Sequence, residues 1–261
     1  MIKIMMNQQD MIKKMIKEAI GKEAMEPLTK SDMKRVKNLD LASMEVSDES
    51  LKYIRGLTEL ETLFLDGTWT AGDGLKYLKN CKNIKRLYLF RTRLNDRGLT
   101  SFKVLKNLGN LEVLSISETR VTNSGLNQIK HLTSIKDLDV SKNQISDKGV
   151  KYLANFENLE VLNLGSTQIT DLSFRYISKM TGLKILYLSN TEITDAGAEG
   201  LKDLTDLEML YLDGTQISDK ALTFLEGLKK LRWLSLFSTD VTKKGIKSLQ
   251  KVLSDTVIMD Q

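Results

Sequence analysis

The chain reads as an α/β solenoid, a stack of repeats with a parallel sheet along one side and helices along the other. Three observations predict this fold class. First, one phrase returns along the chain, as "LFLDGT" at 63–68, "LYLFRT" at 87–92, "LYLSNT" at 186–191 and "LYLDGT" at 210–215. Second, the aligned repeats start at Val36, Leu60, Ile84, Leu111, Ile135, Leu159, Leu183, Leu207 and Leu231, a step of 24 residues except for one of 27 between Ile84 and Leu111. Third, the apolar period changes within each repeat. Leu186 and Leu188 flank Tyr187, as in a strand, whereas Leu126, Ile129 and Leu132 recur every third residue, as on one stripe of a helical turn.

The elements follow in order. Residues 1–35 form a helical N-terminal cap, rich in Met and Ile at helical spacing and holding the one proline, Pro27. Met5, Met11 and Met15 are expected to pack on the first repeat. Residues 36–252 hold nine repeats, each a short strand, a turn and a returning helix. Asp48, Asp96, Asp147, Asp171, Asp195 and Asp219 stand just before the helical stripe, where a short carboxylate is expected to cap the helix N-terminus. Thr68, Thr92, Thr119, Thr167, Thr191, Thr215 and Thr239, with Asn143 in the same slot, stand where side chains can satisfy backbone groups at the bend after the strand. The three extra residues in "GLTSFKVLKNLGNL" (98–111) predict a longer helix there. Residues 253–261 predict a last edge strand through Val257 and Met259. No single repeat buries enough apolar surface to fold alone, so the array stands through its neighbour contacts.

The template L-x-x-L-x-L-x-x-T-x-I-T/S-D-x-G-L-x-x-L-x-x-L-x-x resembles the leucine-rich repeat family from residue 36 to about 252, and "EAMEPLTKSDMKRVKNLDL" is similar to the helical cap of bacterial members. The resemblance implies a curved horseshoe with the sheet on its concave face and the helices on its convex face. It also implies protein–protein interaction in general. The T-x-I-T-D-x-G-L form is similar to repeats in bacterial effectors and in substrate adaptors of ubiquitin ligases, which gives a second functional reading. A purely structural scaffold is the third.

In that register the sheet's outward positions concentrate aromatic rings. Eight of the sixteen aromatic residues fall on this surface: both tryptophans, three tyrosines and three phenylalanines. One candidate cluster is Phe64, Trp69, Arg86, Tyr88 and Phe90, with Arg91, Arg93 and Arg120 on the rim. The other is Tyr187, Met209, Tyr211, Trp233 and Phe237. Asp137 and Asp139 mark an acidic stretch between them. Trp, Tyr and Arg dominate binding hot spots, so these residues are the expected contact set for a protein or peptide partner. The competing reading is that the rings only stack on one another across strands. Tyr53, Tyr77, Tyr152 and Tyr176 fall on the helical side, where packing between helices is expected.

Composition points away from other classes. Hydrophobic residues make 41% and charged residues 28% of the chain, and 39 basic against 34 acidic residues leave a net charge of +5 with no concentrated basic stripe, so no nucleic-acid partner is expected. One cysteine and one histidine provide no disulfide, no zinc site and no catalytic set. Cys81 falls in a core slot, and His131 falls on a solvated helical position. "GTWTAGDG" (67–74) lacks the Lys-Ser/Thr ending of a phosphate loop. Asp137 and Asp139 lie about 7 Å apart on one strand face and read as a solvated acidic patch. No cofactor and no metal are expected, and no enzyme activity. The first 20 residues show no signal peptide and no run reaches membrane length, so a cytoplasmic monomer is expected, with secretion as an effector left open.

Overall fold

The computed structural model describes residues 7–105 and 108–260, and the chain divides into two compact units, one ending at Arg120 and one beginning at Val121. In the first unit, strands β1 (Asn38–Asp40), β2 (Thr62–Phe64), β3 (Arg86–Tyr88) and β4 (Val113–Ser115) pair in parallel in chain order. In the second, β5 (Asp137–Asp139), β6 (Val161–Asn163), β7 (Ile185–Tyr187), β8 (Met209–Tyr211), β9 (Trp233–Ser235) and β10 (Val257–Met259) do the same. The middle residues, Leu39, Leu63, Leu87 and Leu114 in one unit and Leu138, Leu162, Leu186, Leu210 and Leu234 in the other, are all fully buried. Their neighbours along the strand therefore face out, as period two requires.

The strands are short because the chain bends at a fixed place. Ser43, Gly67, Arg91 and Glu118 in the first unit, and Lys142, Ser166, Asn190, Gly214 and Ser238 in the second, have φ between +51° and +67°. The next residue turns inward and its side chain closes the bend. The Oγ1 atoms of Thr68, Thr92, Thr119, Thr191 and Thr239 donate to the carbonyls of Leu65, Leu89, Ile116, Leu188 and Leu236 at 2.6–2.8 Å. Thr167 and Thr215 do so to Leu164 and Leu212 at 2.5 Å, and Asn143 Nδ2 donates to Val140 at 3.1 Å. The expected role of this slot holds in all eight repeats that carry it.

The expected role of the aspartates needs correcting. Thr122, Thr170, Thr194 and Ser218, each one residue earlier than the aspartate slot, cap the helical turns with their own hydroxyls, because they sit in extended backbone with the oxygen facing the first free amides. Asn95 caps the turn that begins at Asp96 in the same way. The carboxylates instead reach into the next repeat. Asp147 accepts from the amide and hydroxyl of Thr170, Asp171 from Thr194, Asp195 from Ser218 and Asp219 from Thr242, at 2.6–2.8 Å. Asp48 accepts from the amides of Ala71, Gly72 and Gly74, and Asn123 makes the equivalent pair with Ser146. The Thr242 hydroxyl and then its amide hold the Asp219 carboxyl below the ordinary carboxylate range. This staple also explains the small residue two places later in the motif, where Ser173 and Ala221 fit beside intact staples. A Cβ at Gly197 would run into the Asp171 carboxylate, and one at Gly245 into Asp219.

Two features lie on the helical side and at the N-terminus. The 98–111 insertion shows two four-residue turns, Asp96–Leu99 and Ser101–Val104, separated at Thr100, in place of one longer helix, and its residues 106 and 107 lie outside the described residues. At the separation the Thr100 hydroxyl bonds back to the Arg97 carbonyl. Helix α1 (Gln8–Ala19) is capped by Asn7 and buries Ile12 and Ile16 against the first repeat, with Met11 and Met15 half-buried; Met5 lies outside the described residues. Helix α2 (Lys30–Arg35) opens with a capping box between Thr29 and Asp32, and Lys22 Nζ reaches Asp32 at 2.6 Å.

Two substitutions test the bend and the staple. Gly197→Val should cost about 2–3 kcal/mol in denaturant unfolding, because the branched side chain displaces the Asp171 carboxylate from Thr194. Lys142→Gly should stabilise by up to about 1 kcal/mol, the left-handed strain less the added entropy of glycine. A destabilised Lys142→Gly would show that the Lys142 side chain, and not its backbone strain, matters at that bend.

Candidate functional site

The outward positions of the sheet carry the candidate residues, and each cluster lies within one unit. In the first unit, register places Phe64 beside Tyr88, and their rings stack at 4.7 Å with an 8° interplanar angle. Arg86 lies two residues before Tyr88, on the same strand face, and donates through Nε to Thr62 Oγ1 at 3.0 Å, which covers Thr62. Trp69 is 42% exposed with the Arg93 guanidinium 5.5 Å from its ring centre. Phe90 is 37% exposed and its amide donates to Asp66. Arg91 pairs with Glu118 at 3.4 Å on the rim. The structure thus joins Phe64, Tyr88 and Arg86 into one patch and leaves Trp69 and Phe90 as its exposed rings.

In the second unit the register forms two parallel rows. One reads Asp137, Val161, Ile185, Met209, Trp233 and Val257, and the other Asp139, Asn163, Tyr187, Tyr211, Ser235 and Met259. Tyr187 and Tyr211 stack at 4.4 Å and 15°. Burial, then the neighbouring Tyr211, raises the Tyr187 phenol above its ordinary value. Asp213 ties three neighbours together. It accepts from the Ser189 hydroxyl at 3.0 Å, from the Ser235 hydroxyl, and from the Phe237 amide at 2.9 Å. Ser235 is buried by that bond although its position faces outward. Trp233 is half-buried, and its indole N–H is the one buried side-chain polar atom among the described residues that has no acceptor.

The acid pair behaves differently from the staples. Asp139 accepts the Ser141 amide at 2.9 Å, while the Asp137 carboxylate makes no hydrogen bond or ion pair to any described residue. Half-burial, and then Asp139 beside it, push the Asp137 carboxyl above its ordinary value. The patch is therefore less freely solvated than its sequence suggested.

Two sequence expectations elsewhere hold. Cys81 is fully buried, and burial alone pushes its thiol up to about 12, so it is an unreactive core group. His131 is exposed on the helical side. Tyr53, Tyr77, Tyr152 and Tyr176 are half-buried as packing residues. Each also lies under a cation: Lys52, Lys76, the pair Lys130 and Lys151, and Arg175. One pattern was missed in the sequence. The residue before each strand reads Lys37, Glu61, Lys85 and Glu112 in the first unit and Lys136, Glu160, Lys184, Glu208 and Arg232 in the second. Lys37–Glu61 at 3.0 Å, Lys85–Glu61 at 3.8 Å and Lys184–Glu160 at 2.7 Å realise it. The alternation at fixed register was the signal. It makes this rim an alternating ion ladder in which each cation has a neighbouring acid.

Among the described residues no group of histidine, cysteine, aspartate and glutamate could hold a metal ion, and no helix is long and apolar enough to cross a membrane. Comparison with known proteins adds the family. Leucine rich repeat families match residues 157–217, 182–241 and 131–154. An internalin C2 from Listeria monocytogenes is 26% identical over 97% of this chain and 92% of its own, with a TM-score of 0.59. A leucine-rich repeat protein of Leptospira interrogans is 21% identical over 87% of this chain and 62% of its own, with a TM-score of 0.60. The functional domain of InlJ from Listeria monocytogenes is 16% identical over 97% and 59%, with a TM-score of 0.58. The latter two speak for the fold alone. No curated protein matches the sequence. The chain carries leucine-rich repeats, in an α/β solenoid fold. Proteins of this kind are in general protein-interaction modules.

The acid pair yields a pH test. A carboxyl whose folded-state pKa is raised favours the folded state when protonated, so stability falls as pH rises through the carboxylate range. Asp137→Asn should therefore raise the thermal midpoint at neutral pH, and the gain should vanish below about pH 3, where the wild-type group is also neutral. A gain that persists unchanged at acid pH would mean that the charge is not its cause.

Proposed function

We propose that the chain is a non-catalytic module that holds a protein or peptide partner on the outward face of its sheet, through Phe64, Trp69, Arg86, Tyr88 and Phe90 in one unit and Tyr187, Met209, Tyr211, Trp233 and Phe237 in the other. The observation that carries this reading is the exposure of rings that stacking does not use. Trp69 and Phe90, in the segments that follow β2 and β3, stay 42% and 37% exposed. Large exposed aromatics beside arginine lose the most water on contact with a partner and do so at low conformational cost.

The scaffold reading draws support from the two ring stacks, which stabilise neighbouring strands without any ligand. It accounts for Phe64, Tyr88, Tyr187 and Tyr211, and it leaves Trp69, Phe90 and Met209 without a task. The effector and adaptor readings use the same face and differ only in what the partner does next.

Capture from the native lysate separates the readings. The Tyr211→Ala/Trp233→Ala double variant should recover its main partner at least about tenfold less than wild type, the loss expected of two central aromatic anchors, while keeping the wild-type circular dichroism spectrum. Equal recovery by both proteins would remove the second-unit cluster from the binding site. A lowered thermal midpoint with unchanged recovery would favour the scaffold.

A further inference from the structure

The second unit's sheet face has a polarity that goes beyond general stickiness. Val161, Ile185, Met209, Trp233 and Val257 lie side by side in register, one per strand from β6 to β10. At about 4.8 Å per strand this apolar row runs about 19 Å. Val257 is 50% exposed at its far end. At its near end the row meets Asp137, with Asp139 beside it in the second row. Both rows hold no lysine or arginine in any of their six strands.

The other acid near the face is already occupied. Asp213 accepts from Ser189, Ser235 and Phe237. Asp139 accepts one backbone amide, and the Asp137 carboxylate has no donor among the described residues. Two half-buried carboxylates that face each other without a cation are a standing electrostatic cost, which a partner's positive charge would remove. Lys136, next to the pair in sequence, belongs to the ion ladder before the strands, where it acts on Glu160.

We infer that this face takes a segment of a protein partner with one polarity: a lysine or arginine seated between Asp137 and Asp139, followed by apolar side chains laid over Ile185, Met209 and Trp233. The inference rests on the binding reading above and names the chemistry of its partner. The cation neutralises the pair, and its methylene stem leads onto the apolar row that begins at Val161. An extended segment needs about six residues to cover the row. The first unit's patch places Arg86 and Arg93 among its rings and offers a partner different chemistry. An anionic lipid surface is repelled by the acid pair, and so is a nucleic acid.

The test uses the full chain and a displayed library of random peptides of about twelve residues, ample to span the row. Peptides selected on wild type should carry lysine or arginine at one end of an apolar stretch. They should lose at least about tenfold in affinity on Asp137→Asn/Asp139→Asn, and their binding should weaken as salt rises. The same peptides should fail on Tyr211→Ala/Trp233→Ala. Asp137→Asn removes a destabilising charge and Asp139→Asn keeps an oxygen for the Ser141 amide, so the double variant should stay folded, which circular dichroism checks directly. Selected peptides that are apolar without basic residues, and that bind the Asn variant as well as wild type, would overturn this inference and leave the general binding reading standing. Peptides that ignore both double variants would overturn both for this face. A concentration-dependent dimer of the chain alone, seen by sedimentation and lost in Tyr211→Ala/Trp233→Ala, would assign the face to a second copy instead.

Discussion

Every 24 residues the chain must leave a strand without stranding its backbone polar groups, and one hydroxyl meets that demand. The threonine after the left-handed residue donates to the carbonyl three residues back, at a site sealed from water. A buried carbonyl without a donor costs about 1–3 kcal/mol, so a chain of such bends is tenable only if each one is closed. Once it is closed, the leucines on both sides of the bend can be buried together. The strand length, the register and the inward turn of the core all depend on this bond.

The carboxylate staples make neighbouring repeats depend on one another. Asp147, Asp171, Asp195 and Asp219 each hold the cap residue of the next repeat by its amide and its hydroxyl. That cap residue then starts the next helical turn. A repeat therefore receives part of its local structure from the one before it, which is the nearest-neighbour coupling that makes solenoids fold cooperatively. The small residue in the motif leaves room for the carboxylate, so Gly149, Gly197 and Gly245 are there for close approach, with φ unremarkable for any side chain.

With the backbone satisfied internally, the outward strand positions are free to vary, and function collects there. The two units use that freedom differently. One presents exposed rings beside arginines; the other aligns an apolar row that ends in an uncompensated acid pair. The same pleat that buries Leu186 and Leu188 turns Tyr187 outward, so the core and the candidate surface come from one alternation.

The repeat spacing, the α/β class, the buried leucine positions, the threonine slot, the terminal strand at Val257–Met259 and the outward placement of the aromatics were all legible in the sequence. They depend on periodicity, and periodicity is local and repeats nine times. The aspartates were misread because capping is the local use of a carboxylate before a helix, and only the packing of successive repeats shows that the hydroxyl caps and the carboxylate crosses over. The left-handed row was hidden because Ser, Arg, Glu, Lys and Asn fill most of it, and no glycine signature marks it. Which rings stack, that Thr62 and Ser235 are covered, and that the Asp137 carboxylate is left without a donor were decided by tertiary structure alone. These facts depend on distances between side chains in different repeats, and the position of a residue within its own repeat carries no record of them.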